Sequence, residues 1–164
     1  MLDFTRRPSV TIPTQVIYKG EGSVQFTCYD PYAYSPTMTS QILTTPSTYS
    51  PTVISVGGTA PTPFKVTTHT SLSPEATIKI QTNNNSVLYF ITIKETTATD
   101  SNDAYFEWDS STGMIKARMD GIIRPIKFIG KSMGTLDVDT IPSIVTENIT
   151  NNVALELNFY NRYI

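Results

Sequence analysis

Apolar and polar residues alternate along this chain in short runs, and turn residues separate the runs. The clearest run closes the sequence. Val153, Leu155, Leu157, Phe159 and Tyr163 are interleaved with Asn152, Glu156, Asn158, Tyr160 and Arg162. A period of two puts each set on its own face of a β-strand. Residues 64–70 and 76–81 read the same way, the latter with Ala76, Ile78 and Ile80 on one face. Residues 87–94 begin apolar on both faces, as a central strand does. Residues 104–109 and 114–119 flank Ser110-Ser111-Thr112-Gly113, which predicts a hairpin with glycine supplying a positive φ. Residues 122–129 predict a strand interrupted by Pro125, hence at an edge or a bulge. Residues 135–138 and 144–145 are shorter pieces.

The first third is less regular. Residues 1–14 carry no period and read as an arm or a linker remnant. Residues 15–18 and 23–29 predict two strands, the second ended by Asp30-Pro31. Six prolines lie between residues 30 and 63, so the β-rich pieces at 39–45 and 52–56 must be short or lie at edges. No window of ten residues shows a helical period, and no internal repeat is visible. The pattern predicts an all-β fold, an antiparallel sandwich or barrel with little or no helix, formed as one domain by residues 15–164.

Composition narrows the function. The chain has 164 residues, a formal charge of −2 and only 16% charged residues. Thr occupies 26 positions and Ser 15. Helical bundles need more Ala, Leu, Glu, Lys and Arg than this. The balance is acidic and the basic residues read as scattered, which argues against nucleic acid as a partner. No apolar stretch is long enough for a membrane-spanning helix. The opening Met-Leu-Asp-Phe-Thr-Arg-Arg lacks the apolar core of a secretory signal. On strands, Thr fills polar faces without adding charge. Such a surface suits a subunit that docks against neighbours.

Little chemistry is legible. Cys28 is the only cysteine and His69 the only histidine, so an intrachain disulfide is ruled out and no metal cage or cofactor site is predicted. Cys28 shares a strand face with Val24 and Phe26 and reads as a buried thiol. Neither a nucleophile elbow nor a Gly-rich phosphate loop occurs. Asp100, Asp103, Asp137 and Asp139 could offer oxygen ligands, but their spacing is not that of a calcium loop, and solvated turn acids are the better reading. Glu107 and Asp109 share a strand face, the one conceivable carboxylate pair for a hydrolase. The chain is read as a non-enzyme.

Four segments carry a resemblance. Val24-Gln25-Phe26-Thr27-Cys28-Tyr29-Asp30-Pro31-Tyr32-Ala33-Tyr34 is a strand running into an Asp-Pro-aromatic segment. Residues 53–66 give a strand, Gly57-Gly58, prolines and a further strand. Residues 105–113 form a hairpin in which acids follow apolar positions. Residues 153–164 close the chain with aromatics and Arg162. In order and spacing these resemble the C-terminal domain of the distal tail proteins of long-tailed, non-contractile phages. The resemblance implies a galectin-like, jelly-roll-like or carbohydrate-module-like sandwich in the virion, at the phage tail tip or baseplate. It implies a docking platform for receptor-binding, tail-tip or tube proteins, with host saccharide as a further partner in some members. Full members carry another β domain that forms a ring, so this chain is expected to be one domain short. A homo-oligomer is then conceivable, but ring formation is in doubt.

Five aromatic residues are candidates for a saccharide or partner contact. Tyr105 and Trp108 lie on opposite faces of one strand, and each is a stacking surface if exposed. For Trp108 the competing reading, a core position beside Phe106, is the stronger. Tyr29, Tyr32 and Tyr34 sit in an extended Tyr-Pro segment of the kind found at interfaces. Two further functions stay open on fold grounds: a free-standing saccharide-binding module, and a decoration or minor capsid protein of another virus.

Overall fold

The computed structural model describes residues 32–44, 50–97, 104–119, 121–149 and 153–164. The expected strands at 15–18 and 23–29, Cys28 and Tyr29 lie outside these residues. Thirteen strands are described: β1 (Ala33–Tyr34), β2 (Thr39–Thr44), β3 (Thr52–Val53), β4 (Phe64–Thr68), β5 (Thr77–Gln81), β6 (Val87–Ile93), β7 (Phe106–Asp109), β8 (Met114–Met119), β9 (Ile122–Pro125), β10 (Phe128–Lys131), β11 (Ser143–Glu147), β12 (Ala154–Phe159) and β13 (Arg162–Tyr163). One 3₁₀ turn, Val138–Thr140, is the helical content of the described residues.

The strands form two antiparallel sheets arranged as a sandwich, and a small ribbon. One sheet runs β2-β12-β4-β7-β8-β9; the other runs β10-β6-β5-β11-β3; β1 and β13 pair as the ribbon. The alternation sorts the core. Leu155, Leu157 and Phe159 of β12, Phe64 and Val66 of β4, and Phe106 and Trp108 of β7 turn inward. They meet Ile78 and Ile80 of β5, Ile91 and Ile93 of β6 and Ile144 of β11 in one buried cluster. Burying a side chain of this kind contributes about 1.5–3 kcal/mol, so this cluster dominates the fold's stability.

Four sequence expectations need correction. The run 122–129 is two strands. β9 edges the six-stranded sheet and β10 edges the five-stranded one; Pro125 is paired with Lys116, Ile126 N still donates to Ile115 O at 3.1 Å, and buried Ile126 then carries the chain across the gap. Residues 135–138 are not a strand: buried Leu136 makes a single bridge to Thr62 before the 3₁₀ turn. The closing strand ends at Phe159; Tyr163 is exposed and belongs to β13. The second proline-flanked piece is a strand only at Thr52–Val53. Conversely, residues 144–145 sit inside a five-residue strand, β11, whose Ile144 and Val145 are both buried. A strand buried on both faces shows no alternation to read. The hairpin β7–β8 and the central placement of β6 are as expected, with β6 paired on both sides.

Candidate functional site

Tyr32, Tyr34 and Arg162 come together beyond the end of β12. The register Tyr34↔Arg162 of the β1–β13 ribbon sets the arginine beside both tyrosines. Its guanidinium carbon lies 5.0 Å from each ring centroid. Arg162 Nη2 donates to Tyr34 Oη at 2.7 Å, and Nη1 donates to Pro61 O at 3.5 Å. A planar cation between two aromatic faces is favourable, by roughly 0.5–2 kcal/mol per ring.

The backbone beneath this cluster is held by the Gly57-Gly58 turn. Arg162 O accepts from Thr59 N at 2.8 Å and from Ala60 N at 3.1 Å. Gly58 has φ +89°, and a Cβ there would lie 2.2 Å from Arg162 O. Only glycine permits that conformation and that approach. Asn161 completes the clamp. Its Oδ1 accepts from Gly57 N at 2.9 Å, its Nδ2 donates to Thr39 Oγ1 at 3.3 Å, and its backbone exchanges hydrogen bonds with Ser35. Asn161 carried no signal in the sequence beyond its place in the closing segment, because its role depends on Ser35, Thr39 and Gly57, all far away in the chain.

Tyr105 lies elsewhere, at the opposite end of the six-stranded sheet, next to the Thr68↔Phe106 pair. Arg118 stacks 5.9 Å from its ring centroid, and the His69 ring is 5.8 Å away. Its hydroxyl donates to Glu107 Oε2 at 2.7 Å. Partial burial, and then the bond to Glu107 and that carboxylate's charge, push the Tyr105 pKa up to about 12, against a smaller opposing pull from Arg118. The phenol therefore stays protonated at neutral pH.

The carboxylate pair is committed to structure. Lys65 Nζ sits 3.5 Å from Glu107 and 3.7 Å from Asp109. Asp109 Oδ1 also accepts from Ser111 N at 2.9 Å and Ser111 Oγ at 2.6 Å. Burial alone would raise the Asp109 pKa; the Ser111 hydrogen bonds and Lys65 outweigh it and hold the pKa below 3.8. A glycosidase acid needs a raised pKa. This pair offers an ionised carboxylate and one already bonded to Tyr105 and Lys65.

Trp108 corrects one expectation. It is 0% exposed, packs edge-on to Phe64 at 5.1 Å, and its Nε1 donates to Ser132 O at 2.7 Å. It has no free face for a sugar, so the core reading holds. Asp137 Oδ1 accepts from Asp139 N at 3.1 Å, capping the 3₁₀ turn rather than facing a cation. Asp100 and Asp103 lie outside the described residues. Among the described residues no group of His, Cys, Asp and Glu is arranged to hold a metal, and no helix is long and apolar enough to cross a membrane.

No protein-family model matches the chain, and no curated protein matches it. Among solved structures, a similar chain is the Dit protein (gp 19.1) of SPP1, whose crystal structure is described as a paradigm of the hub adsorption apparatus in phages that infect Gram-positive hosts. The two share 15% identity with a TM-score of 0.49, over 84% of this chain and 51% of that one. This chain thus spans about half the length of that protein.

Proposed function

We propose that this chain is a structural subunit of a phage tail tip, a distal-tail-like docking platform for receptor-binding or accessory tail proteins, working without chemistry. The observation that carries the reading is a convergence. Three of the four segments behind the sequence resemblance meet at one place: Tyr32 and Tyr34, the Gly57-Gly58 turn, and Asn161-Arg162. These segments are far apart in the chain, and their tyrosines, glycine turn and arginine interlock. Tyr34, Tyr160 and Tyr163 remain exposed around it, and exposed tyrosine with arginine is what protein interfaces enrich. The engaged state of Glu107 and Asp109 supports a role without catalysis.

The test is location. Particles are purified from the host that carries the gene and labelled with gold-conjugated antibody to this chain. Label at the tail tip is the expected result. Label over the head, or none on intact particles, overturns the proposal and leaves the capsid-decoration or free-module readings. Saccharide binding is the second reading. It draws on Tyr105, half-buried beside Arg118 and Glu107, and is checked by calorimetry against cell-wall sugars with Tyr105→Ala as control.

A further inference from the structure

The two main sheets end in the edge strands β2 and β9 on one and β3 and β10 on the other. An open edge invites pairing with another chain, and proteins blunt it with charge, proline, brevity or a covering group. Of these edges, all but β2 are blunted. β9 is four residues long and carries Arg124 and Pro125. β10 is also four residues long and ends in Lys131. β3 has two residues, and its open side is occupied. Ile54 N donates to Pro142 O, so Val53 O and Ser55 N face away from β11. The Gln41 side chain takes both: its Nε2 donates to Val53 O at 2.9 Å and its Oε1 accepts from Ser55 N at 3.2 Å.

β2 has none of these devices. Its six residues, Thr39–Thr44, include no charge and no proline, and they pair with β12 without a shift in register. The ladder fixes which backbone groups stay open. Phe64 O accepts from Ser110 N on the β7 side, so Lys65 and Thr67 aim their backbone groups at β12. Their partners Asn158 and Glu156 therefore bond toward β4, and Leu155, Leu157 and Phe159 bond toward β2. Those three stand opposite Leu43, Gln41 and Thr39. Ser40, Ile42 and Thr44 are left with N–H and C=O directed off the sheet. Among the described residues, nothing bonds to these groups. Their side chains lie on the outer face and are exposed; Ile42, at 73%, is the most exposed isoleucine of the described strands.

We infer that β2 is a self-association edge: two copies of this chain pair their β2 strands antiparallel about a two-fold axis at Ile42, joining two six-stranded sheets into one. Register selects the occupant. With Ile42 opposite Ile42 of the second copy, Ser40 falls opposite Thr44 and Gln41 opposite Leu43. Outer-face residues then meet outer-face residues, and inward ones meet inward ones, as a continuous sheet requires. Each outward N–H and C=O of Ser40, Ile42 and Thr44 finds a partner in this register. A closed two-fold contact needs such self-complementarity. The strand is uncharged, so the copies meet without like-charge repulsion, and the two Ile42 side chains cover each other. A strongly charged segment from another protein finds no countercharge on this strand. The inference concerns this chain's own assembly and does not rest on the tail-tip reading.

The test is sedimentation velocity of the full chain from about 1 μM to about 1 mM, because one strand pair is a small interface and gives a weak dimer. A monomer–dimer equilibrium is expected within that range. Ile42→Lys sets two ammonium groups together at the axis and should weaken the dimer about tenfold or more. Ile129→Lys adds the same charge on β10, in the other sheet, and should leave the dimer unchanged. Amide exchange followed by NMR at low and high protein concentration gives a second readout. Ser40, Ile42 and Thr44 should exchange more slowly at high concentration; Gln41 and Leu43, already bonded to β12, should not change. A chain that stays monomeric at about 1 mM overturns the inference and leaves the edge to a strand of another protein. A dimer that Ile42→Lys does not weaken, or one without the alternating protection, overturns it in favour of another contact surface. Both substituted side chains are exposed, so folding should be retained, and circular dichroism checks it. Tail-tip labelling does not depend on β2, so the two proposals fail separately.

Discussion

Gly58→Ala and Gly121→Ala form a matched pair of perturbations. Both glycines have positive φ, +89° and +76°. At Gly121 an added Cβ meets nothing within 4 Å. That substitution costs about 1–2 kcal/mol of backbone strain, less about 0.4–1 kcal/mol from a stiffer unfolded chain, so about 1 kcal/mol net. At Gly58 the same strain applies, but the Cβ would also sit 2.2 Å from Arg162 O. The carbonyl must retreat by about 1 Å to reach an ordinary contact. Retreat weakens its bonds from Thr59 N and Ala60 N, each worth about 1 kcal/mol, and disturbs the Arg162 guanidinium between its tyrosines. The expected total is about 3–4 kcal/mol. Urea denaturation followed by circular dichroism reads the difference. With a slope of about 1–3 kcal/mol per molar, Gly58→Ala should lower the midpoint by about 1 M more than Gly121→Ala. Limited proteolysis should also cut the C-terminal segment sooner in Gly58→Ala. If the two variants unfold at the same urea concentration, the clamp reasoning is wrong, and the terminal segment contributes little to stability.

Three further predictions follow from the same geometry. Trp108→Phe removes the indole N–H from Ser132 O and leaves space in a sealed core; it should cost about 2–4 kcal/mol, and native Trp108 fluorescence should be blue-shifted from that of free tryptophan. A double-mutant cycle with Arg162→Lys and Tyr34→Phe should return a coupling energy of about 1 kcal/mol for the hydrogen bond from Arg162 Nη2 to Tyr34 Oη; a coupling near zero would show that this bond adds no stability. Asp109 has a lowered pKa in the fold, so its contribution is present above its unfolded value near 3.8 and is lost as pH falls through the folded one. Asp109→Asn should therefore flatten the acid limb of a stability–pH curve, and an unchanged limb would show that the Ser111 and Lys65 contacts are not maintained in solution.

The sequence by itself determined the class of fold and most of the core. Ala76-Ile78-Ile80, Phe106-Trp108 and Leu155-Leu157-Phe159 were legible because a strand with one buried face must alternate, and alternation survives in the linear text. Gly113 in the β7–β8 turn was legible for a similarly local reason. The strand β11 was only partly so, since burial on both faces erases the period. What only the tertiary structure decided is which distant residues meet. Asn161 and Arg162 gain their meaning from Ser35, Thr39, Gly57, Tyr32 and Tyr34, and Trp108 is sealed by Phe64 of β4 and by Ser132, just past β10. Hydrogen bonds, ion pairs and stacking act over a few ångströms in space, and strand order, which no single segment encodes, sets those distances.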